Sequence, residues 1–481
     1  MNLTKLRSLY GGVPSVSLLV FLAGGCSSEA PETIENAPSA LTNPVEEDII
    51  VQLRNVPGIV EVREMAVTEP GRRYLALRFE QPVDHHHPDG PKFTERFTMI
   101  YRSRELPMVL ESTGYSVSST RIWEVEPARM LQANQISLEF RFFGESVPAT
   151  VDYTKINAFQ AAADEHRLIQ ALRPLFTNKW LSTGSSRGGM TAMAHRYYYP
   201  DDVEATVAYV APHNYHTSDP RYVSFLEHVG DDPACRQKLK DFQTELLRRR
   251  AEIEPLMVQE ASAYGDGYEK TLGIHRAMDA TVTEASFFFW QYGETTCAEI
   301  PSTAATTQQL FGFLQKIYFG NIAGGGFGDA TNTFFAPGYY HAATEQGYSG
   351  FQYSHLRPYL TPGFKDEPAM YPPFDVEKRF NPEVNIRIGT WSAASAQRVL
   401  LVYGENDPWS AGAFVVSPAN DSYRYFVPKG NHSANIARLP APERAKATAT
   451  LARWMGVQIP VTVEALRSPT LEESPTPRLR W

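Results

Sequence analysis

The pentapeptide GSSRG at 184–188 constrains the fold of this chain more than any other feature of its sequence. A strand is predicted directly before it, at 179–183, and a helix directly after it, at 189–199. Glycines flank a serine in this way where a strand turns sharply into a helix, because the turn leaves no room for side chains. The sequence therefore predicts a strand-turn-helix unit that exposes the hydroxyl of Ser186 at the edge of a sheet.

Strand and helix patterns alternate around this unit. The predicted strands are 74–79, 97–101, 108–111, 136–140, 179–183, 205–210, 398–403 and 423–427. The predicted helices are 159–172, 189–199 and 442–455. Because strands that alternate with helices form parallel sheets, we predict an α/β fold, an α/β-hydrolase core with a mostly parallel sheet.

Residues 215–375 interrupt this alternation. They contain amphipathic stretches such as 239–253, an aromatic cluster at 287–290 and a glycine-rich segment at 324–328 that we expect to form a loop. The sequence predicts that they form an inserted, mostly helical cap. The core is then divided between 49–214 and 376–460, and residues 461–481 are predicted to be a proline-containing tail.

The first 26 residues have the pattern of an export signal. Lys5 and Arg7 precede an apolar run at 13–22, which is too short to span a bilayer as a helix, and Cys26 follows. We predict a signal peptide at 1–26, either of the lipoprotein type with Cys26 lipidated or for plain secretion. Residues 27–48, rich in Ser, Pro, Glu and Ala, are predicted to be a flexible tether.

The remaining cysteines and the overall charge constrain the partners of the chain. Apart from Cys26 there are two cysteines, Cys235 and Cys297, and an even pair in an exported protein predicts a disulfide between them. The formal charge of −9 disfavours binding to nucleic acid or to an anionic bilayer. We expect a monomer that contacts a membrane only through an N-terminal lipid anchor.

Two further residues complete a catalytic triad in the chain order Ser, acid, His that α/β hydrolases follow. Asp407 comes after the predicted strand at 398–403, and His432 comes after the one at 423–427. In such a triad the histidine takes the serine proton and returns it to the leaving group, while the acid orients the imidazole. Glu405 is a competing acid, and Asp407 is preferred because it lies further past the end of the strand.

Donors for a developing oxyanion are predicted at two places. The backbone N–H of Arg187 is the first, at the start of the helix that follows Ser186. The loop after the strand at 108–111 provides the second candidate, at Gly114 and Tyr115.

The sequence predicts no metal site and no cofactor. The adjacent histidines at 85–87 would point to opposite faces of an extended segment, so a turn is the better interpretation. The glycine-rich segment at 324–328 lacks the preceding strand and the Lys-Ser/Thr pair of a phosphate-binding loop.

Several motifs resemble those of a known family. They are FEQPVDH at 79–85, EFRFFGESVP at 139–148, QAAADEHR at 160–167, WLSTGSSRGGMT at 180–191, FWQY at 289–292 and YGENDPW at 403–409. In these motifs the chain resembles the secreted bacterial prolyl tri- and tetrapeptidyl aminopeptidases, and it is also similar to the Pro-X carboxypeptidases. Ser185, where relatives often have Gly, and Arg187, where they often have Lys or Tyr, depart from the family pattern.

The resemblance implies a serine exopeptidase that acts on peptides with a free N-terminus. It would release tripeptides or tetrapeptides, with proline preferred at the cleaved position, through an acyl-enzyme on Ser186. The triad of the family falls on Ser186, Asp407 and His432. A cap over the sheet would exclude folded proteins and limit access to chain ends.

An aminopeptidase also needs an acidic side chain that binds the ammonium group of the substrate. The candidates, among which the sequence does not choose, are Glu139, Glu145, Glu204 and Glu294. Trp290 and Tyr292 are candidates for an apolar proline pocket, and the core of the cap is an equally good interpretation of both.

Three other functions stay open from the sequence. A Pro-X carboxypeptidase would need a cation for the substrate carboxylate, and a carboxylesterase or lipase would use the same triad on acyl esters. A binding protein on a degenerate hydrolase scaffold would need no triad, so the intact set of three residues argues against it.

Overall fold

The computed structural model describes residues 47–66, 71–118, 123–351, 353–376 and 379–459. The predicted signal peptide, Cys26, nearly all of the predicted tether and the predicted tail lie outside the described residues. Within the described part, the strands are β1 (Ile59–Glu64), β2 (Arg73–Pro82), β3 (Lys92–Tyr101), β4 (Met108–Ser112), β5 (Asn134–Leu138), β6 (Trp180–Ser185), β7 (Ala205–Tyr209), β8 (Val399–Gly404) and β9 (Tyr423–Val427).

The helices of the described part fall into those around the sheet and those between β7 and β8. The first group is α1 (Ile49–Arg54), α2 (Glu126–Leu131), α3 (Ala158–Leu172), α4 (Arg187–Tyr198), α12 (Glu383–Ala394) and α13 (Ala441–Met455). The second group is α5 (Pro220–His228), α6 (Pro233–Arg248), α7 (Arg250–Ala263), α8 (Ile274–Tyr292), α9 (Thr307–Ile317), α10 (Ile322–Gly325) and α11 (Asp329–His341). We refer to α5–α11 with their connections as the helical insert. None of the helices in the described ranges is long and apolar enough to cross a membrane.

The strands form one sheet in the order β1-β2-β3-β5-β4-β6-β7-β8-β9. The pairs from β1 to β5 are antiparallel, and every pair from β5 through β4 to β9 is parallel. This confirms the predicted α/β-hydrolase fold with its mostly parallel sheet. Because parallel strands end at the same edge of a sheet, the loops after β6, β8 and β9 lie along one edge.

Apolar clusters cover both faces of the sheet. One cluster joins the parallel strands to α13 and includes Val109, Leu400 and Leu451. The other joins β2, β3 and β5 to α3 and includes Met108 and Leu110. Successive residues of a strand point to opposite faces, so the alternation of 108, 109 and 110 between clusters places them on opposite sides. This cover explains why the central strands are almost continuously apolar.

The helical insert has an apolar core of its own. Phe242 of α6 packs edge-on against Phe313 of α9, with ring centroids 5.1 Å apart. A disulfide joins Cys235, in α6, to Cys297, after α8, with Cα atoms 5.3 Å apart. The predicted disulfide is therefore confirmed, and it links α6 to the connection between α8 and α9.

Three local features differ from the sequence predictions. The edge strand β1 was not predicted, because its residues are mostly exposed and lack a clear apolar alternation. The predicted helix at 239–253 is divided between α6 and α7, because Arg249 leaves the helical conformation and donates to the carbonyl of Ala305 at 2.8 Å. Gly324 lies in the short helix α10 rather than in a loop, since the side chain of Asn321 caps that helix by accepting from its N–H at 2.9 Å.

Candidate active site

Ser186 occupies the turn between β6 and α4, as the sequence predicts for a nucleophile elbow. Its backbone is held at φ 55° and ψ −123°, a region that non-glycine residues rarely adopt. Its N–H donates to the carbonyl of Tyr209, at the end of β7, at 2.8 Å. Strain of this kind persists only where surrounding contacts hold it, and it is concentrated at functional sites.

Close backbone packing explains the glycines of the elbow. A Cβ added to Gly188 would lie 2.0 Å from the carbonyl oxygen of Ser112, at the end of β4. A Cβ added to Gly184 would lie 2.3 Å from the backbone of Gly188. Any side chain at either position would push α4 away from the sheet, so the motif is required by the fold of the turn.

Asp407 and His432 meet at the same edge of the sheet. His432 Nδ1 lies 2.7 Å from Asp407 Oδ2, and the carboxylate is fully buried. Asp407 also accepts from the backbone N–H of Trp409 at 3.2 Å, which fixes its orientation. A proton held on Nδ1 by the carboxylate leaves Nε2 as the acceptor, which is the tautomer that a general base needs.

The competing acid Glu405 has a different environment. It is exposed, and its carboxylate accepts from the backbone N–H of Lys429 at 3.1 Å. The structure thus pairs His432 with Asp407 and gives Glu405 a role in the turn after β9.

The helical insert holds the loop that carries His432. The N–H of His432 donates to the carbonyl of Gln291 at 2.9 Å, and Asn431 Nδ2 donates to the carbonyl of Tyr292 at 2.6 Å. The ring of Tyr292 also lies edge-on to the imidazole of His432, with centroids 6.4 Å apart. The end of α8 therefore helps to hold His432 in position.

The predicted oxyanion donors lie together beside Ser186. The first intrahelical bond of α4 runs from the N–H of Met190 to the carbonyl of Ser186 at 3.0 Å, so the N–H of Arg187 precedes the bonded part of the helix. Gly114 lies against this turn, since a Cβ there would be 2.5 Å from the nitrogen of Gly188, and its φ of +76° also favours glycine. The loop of Gly114 and Tyr115 thus contacts the elbow directly.

The side chain of Arg187 is a buried cation under the elbow. Its guanidinium donates to the carbonyl of Gly114, lies 3.2 Å from His341 Nδ1, and lies 4.1 Å above the ring of Phe140. Burial lowers the pKa of Arg187 to about 10. Arg187 therefore links the elbow, the Gly114 loop and α11 of the helical insert. The sequence did not predict this role of its side chain.

Two of the four predicted ammonium-binding residues have structural partners instead. Glu139 is fully buried and accepts hydrogen bonds from Arg96, Val117, Glu145 and Ser146, the last through both N–H and hydroxyl. These five donors occupy both carboxylate oxygens of Glu139, so neither oxygen is left to accept from a substrate ammonium. Glu145 is exposed, and its carboxylate pairs with two arginines, including Arg96 Nη1 at 2.5 Å. The structure therefore does not support the predicted ammonium-binding role of either glutamate.

Glu204 lies at the wrong edge of the sheet. Its N–H donates to the carbonyl of Trp180, the first residue of β6, at 2.7 Å, and its carboxylate pairs with Arg398, just before β8. Both contacts are at the amino ends of the strands, whereas Ser186 lies at the carboxyl end. The direction of β7 therefore places Glu204 away from Ser186, which corrects its predicted role as an ammonium-binding residue.

The last three predicted substrate contacts lie at or after the end of α8. Tyr292 is near His432, as described, and Glu294 is exposed just beyond it. Trp290 is half-buried and packs over Gly230, where an added Cβ would be 2.5 Å from the indole. The structure thus brings Tyr292 to the site and directs Trp290 toward the α5–α6 connection.

One acidic residue near the site was missed by the sequence analysis. Glu284 lies in α8, eight residues before Tyr292, and is only 5% exposed. The available signal was the single carboxylate in ATVTEASFFFW, a segment whose other residues are all uncharged, since acids are seldom fully buried unless they are paired.

The histidines at 85–87 do not converge. His85 Nε2 lies 2.6 Å from Asp164 Oδ1, while His87 Nδ1 lies 3.1 Å from Asp84 Oδ2. Within the described ranges, no group of three or more His, Cys, Asp or Glu side chains could hold a metal ion.

Comparisons with known proteins agree with this geometry. Residues 42–470 match the family described as PS-10 peptidase S37. The chain is 38% identical over 459 residues to the prolyl tri/tetrapeptidyl aminopeptidase of Streptomyces mobaraensis, with 94% of this chain and 92% of that protein covered.

Solved structures with low identity are also similar. The proline iminopeptidase of Mycobacterium smegmatis is 12% identical, with 82% of this chain and 99% of that one covered and a TM-score of 0.31. The acetyl xylan esterase 1 of a Thermoanaerobacterium species is 11% identical, with coverages of 84% and 90% and a TM-score of 0.33. The match to the family over most of the chain, with 38% identity to one of the curated relatives, confirms the resemblance: this chain belongs to the PS-10 peptidase S37 family and is a serine peptidase.

Proposed function

We propose that this protein is an exopeptidase that releases tripeptides, or tetrapeptides, from free N-termini. Cleavage would occur preferentially after proline, through an acyl-enzyme on Ser186. The observation that carries the proposal is the 2.7 Å hydrogen bond between His432 and Asp407, at the sheet edge where Ser186 occupies a strained elbow. The Streptomyces relative, whose name states prolyl tri/tetrapeptidyl aminopeptidase, supports the substrate class.

The proposed reaction follows from the positions of these groups. Ser186 Oγ attacks the carbonyl carbon of the scissile bond, and its proton moves to His432 Nε2. Asp407 would stabilise the resulting imidazolium, and the N–H of Arg187 and the Gly114 loop would donate to the oxyanion. The C–N bond then breaks, and the departing amine takes the proton from His432. Water attacks the acyl-enzyme by the same route and releases the short peptide.

Export is part of the proposal. The disulfide between Cys235 and Cys297 supports it, because disulfides persist chiefly in proteins outside the reducing cytosol. The export signal predicted at 1–26 points the same way. Either lipidation of Cys26 or plain secretion would place the enzyme where extended peptides are available.

The test uses Ala-Ala-Pro-p-nitroanilide with a free amine and its N-acetylated counterpart. The wild-type protein should cleave the free-amine substrate and discriminate against the acetylated one. Ser186→Ala should lower kcat by about 10⁴- to 10⁶-fold, because the nucleophile is lost. Ser185→Ala is the matched control, since this neighbouring serine is exposed and outside the proposed chemistry, and it should retain activity.

Two results would contradict the proposal. One is a wild-type protein that leaves the free-amine substrate intact, and the other is a Ser186→Ala variant with undiminished activity. Cleavage of an N-blocked proline peptide that has a free C-terminal carboxylate, but not of its C-amidated counterpart, would instead favour a carboxypeptidase-like enzyme. Mass spectrometry of products from peptides with proline at the second, third or fourth position would define the length released.

A further inference from the structure

Glu284 is a buried carboxylate that lacks a cationic partner. Its Oε1 accepts from the hydroxyl of Tyr348 at 2.7 Å. Within the described residues, Oε2 has no hydrogen-bond donor, and no Lys or Arg forms an ion pair with this side chain. A charge in this setting is costly unless a cation or further donors compensate for its lost hydration.

A second buried acid makes the cation deficit larger. Asp366 is fully buried, and both of its oxygens are occupied, by the N–H of Phe351 at 2.7 Å and by the hydroxyl of Tyr371. Burial, followed by the charge of Asp366, raises the pKa of Glu284 well above its ordinary value. An ammonium that binds at the open oxygen would favour the ionised form of Glu284 again, because a nearby opposite charge stabilises a carboxylate.

Glu284 is connected to the catalytic residues by a short series of contacts. Tyr348, its hydrogen-bond donor, has its ring 6.5 Å from that of Trp409. The backbone N–H of Trp409 donates to the carboxylate of Asp407 at 3.2 Å. Two intermediate residues, Tyr348 and Trp409, therefore connect the carboxylate of Glu284 to that of Asp407.

Tyr292 is influenced both by Glu284 and by residues beside Ser186 and His432. Burial is the main cause that raises the pKa of Tyr292, and Tyr115, Asp407 and Glu284 each add to it. Tyr292 lies beside His432, and Tyr115 belongs to the loop that contacts the elbow. Glu284 thus contributes to the electrostatic environment of Tyr292, the residue of α8 that lies beside His432.

The spacing fits a short peptide. Glu284 and Tyr292 are eight residues apart in α8, which corresponds to about 12 Å along the helix axis and about 80° around it. An extended tripeptide spans about 10 Å from its nitrogen to the carbonyl of its third residue. A substrate with its amine at Glu284 would thus place its third carbonyl near the end of α8, where His432 is held.

We propose that Glu284 binds the N-terminal ammonium of the substrate, with Tyr348 positioning its carboxylate, and thereby limits release to short peptides of defined length. This inference rests on the proposed aminopeptidase function. Glu294 is the natural rival, because it is exposed only two residues past Tyr292. An amine bound there would leave too little room for three residues before the scissile bond.

The experiment compares two anilides that differ only in the amine. They are Ala-Ala-Pro-p-nitroanilide and its desamino analogue, propionyl-Ala-Pro-p-nitroanilide. In the wild type, kcat/KM should favour the free amine about 30-fold or more, as expected when one partner of a buried charge pair is removed. Glu284→Gln keeps the shape and should reduce this preference to near one, by lowering activity on the free-amine substrate alone. Glu294→Gln is the matched control and should keep the wild-type preference.

The possible outcomes separate the inference from the function on which it rests. Equal losses on both substrates in Glu284→Gln would mean a structural role and would overturn the inference, as would a lost preference in Glu294→Gln. Hydrolysis of p-nitrophenyl acetate at the wild-type rate checks that the triad of each variant is intact. A wild-type protein that cleaves this ester but neither anilide would overturn the aminopeptidase function itself. If Glu284→Gln does not fold, Glu284→Asp tests the same point, because it keeps the charge and should retain part of the preference.

Discussion

The catalytic edge, by which we mean the edge of the sheet that carries Ser186, Asp407 and His432, differs from the helical insert in the hydrogen-bond partners of its buried acid. At the sheet edge, Asp407 is buried and has two hydrogen-bond donors, His432 and the N–H of Trp409. In the insert, Glu284 is also buried, yet only one of its oxygens has a donor in the described structure. A paired acid is suited to orient another side chain, whereas an acid with an open oxygen is suited to bind a group from outside.

The comparison suggests a division of labour between the two regions. Backbone geometry at the ends of parallel strands places the reacting groups, and this geometry is shared by hydrolases with many substrates. In the proposed function, the insert would supply the carboxylate that binds the substrate amine. It also holds the loop of His432 through Gln291 and Tyr292, so the two regions are mechanically connected.

The largest expected effect tests the sheet edge. Asp407→Asn should lower kcat by about 10⁴-fold on both amide and ester substrates, because the amide would favour the wrong tautomer of His432. Glu405→Gln, two residues away and exposed, is the matched control and should retain most of the activity. Steady-state kinetics on both variants measures this, and a comparable loss in Glu405→Gln would assign the acid to the wrong carboxylate.

The disulfide should affect the stability of the insert rather than the chemistry. Its removal in Cys235→Ser/Cys297→Ser opens a loop of 62 residues, which corresponds to about 4 kcal/mol in the chain-entropy model. We expect a lower Tm by calorimetry, with kcat nearly unchanged well below the transition. A large loss of kcat at a temperature where the variant is fully folded would show that the two regions are coupled more tightly than the comparison implies.

Gly114→Ala should act on the oxyanion loop. The left-handed backbone of Gly114 and its close contact with Gly188 both exclude a methyl group, so the loop must move. A displaced oxyanion donor lowers kcat by about 10²-fold. The loss of kcat should be the same for free-amine and desamino substrates, since the Gly114 loop contacts the elbow at Ser186 and is not part of the helical insert. A change confined to KM would argue against the oxyanion assignment.

The smallest expected effect concerns the positioning of Glu284. Tyr348→Phe removes the donor to Glu284 Oε1 and leaves the ring in place. Loss of one hydrogen bond to a charged group costs about 1.5–3 kcal/mol, and a carboxylate that can move toward the ammonium would recover part of it. We therefore expect KM for the free-amine anilide to rise about 5-fold, with kcat and ester hydrolysis unchanged. An unchanged KM would show that Glu284 needs no positioning by Tyr348.

The turn at Ser186 and the pairing of Asp407 with His432 agree with the sequence predictions, because the signals for them are local. The glycines around Ser186 are required by one turn, and Asp407 and His432 follow strands whose apolar runs are easy to detect. The chain order of the three groups then implies their proximity, since parallel strands end at one edge. The helices of the insert were harder, and the division between α6 and α7 depends on a contact of Arg249 with a distant loop.

The residue proposed to bind the substrate ammonium, Glu284, could not be predicted for a related reason. Glu139 is occupied by Arg96, 43 positions away, and Glu204 is excluded by the direction of β7. Neither fact is visible in the residues around each glutamate. Glu284 lies on the buried side of α8, and only its contact with Tyr348 and the nearby charge of Asp366 show that its carboxylate is buried without a cation.

The sequence by itself determined the α/β-hydrolase core, the elbow at Ser186, the order of the candidate triad and the disulfide pair. Each depends on a local turn, a strand pattern or a residue count. Only the tertiary structure decided which acid is paired with His432, which glutamates are already occupied and which carboxylate keeps an open oxygen. The physical reason is that the burial and pairing of a charge are fixed by groups that the fold brings together from distant parts of the chain.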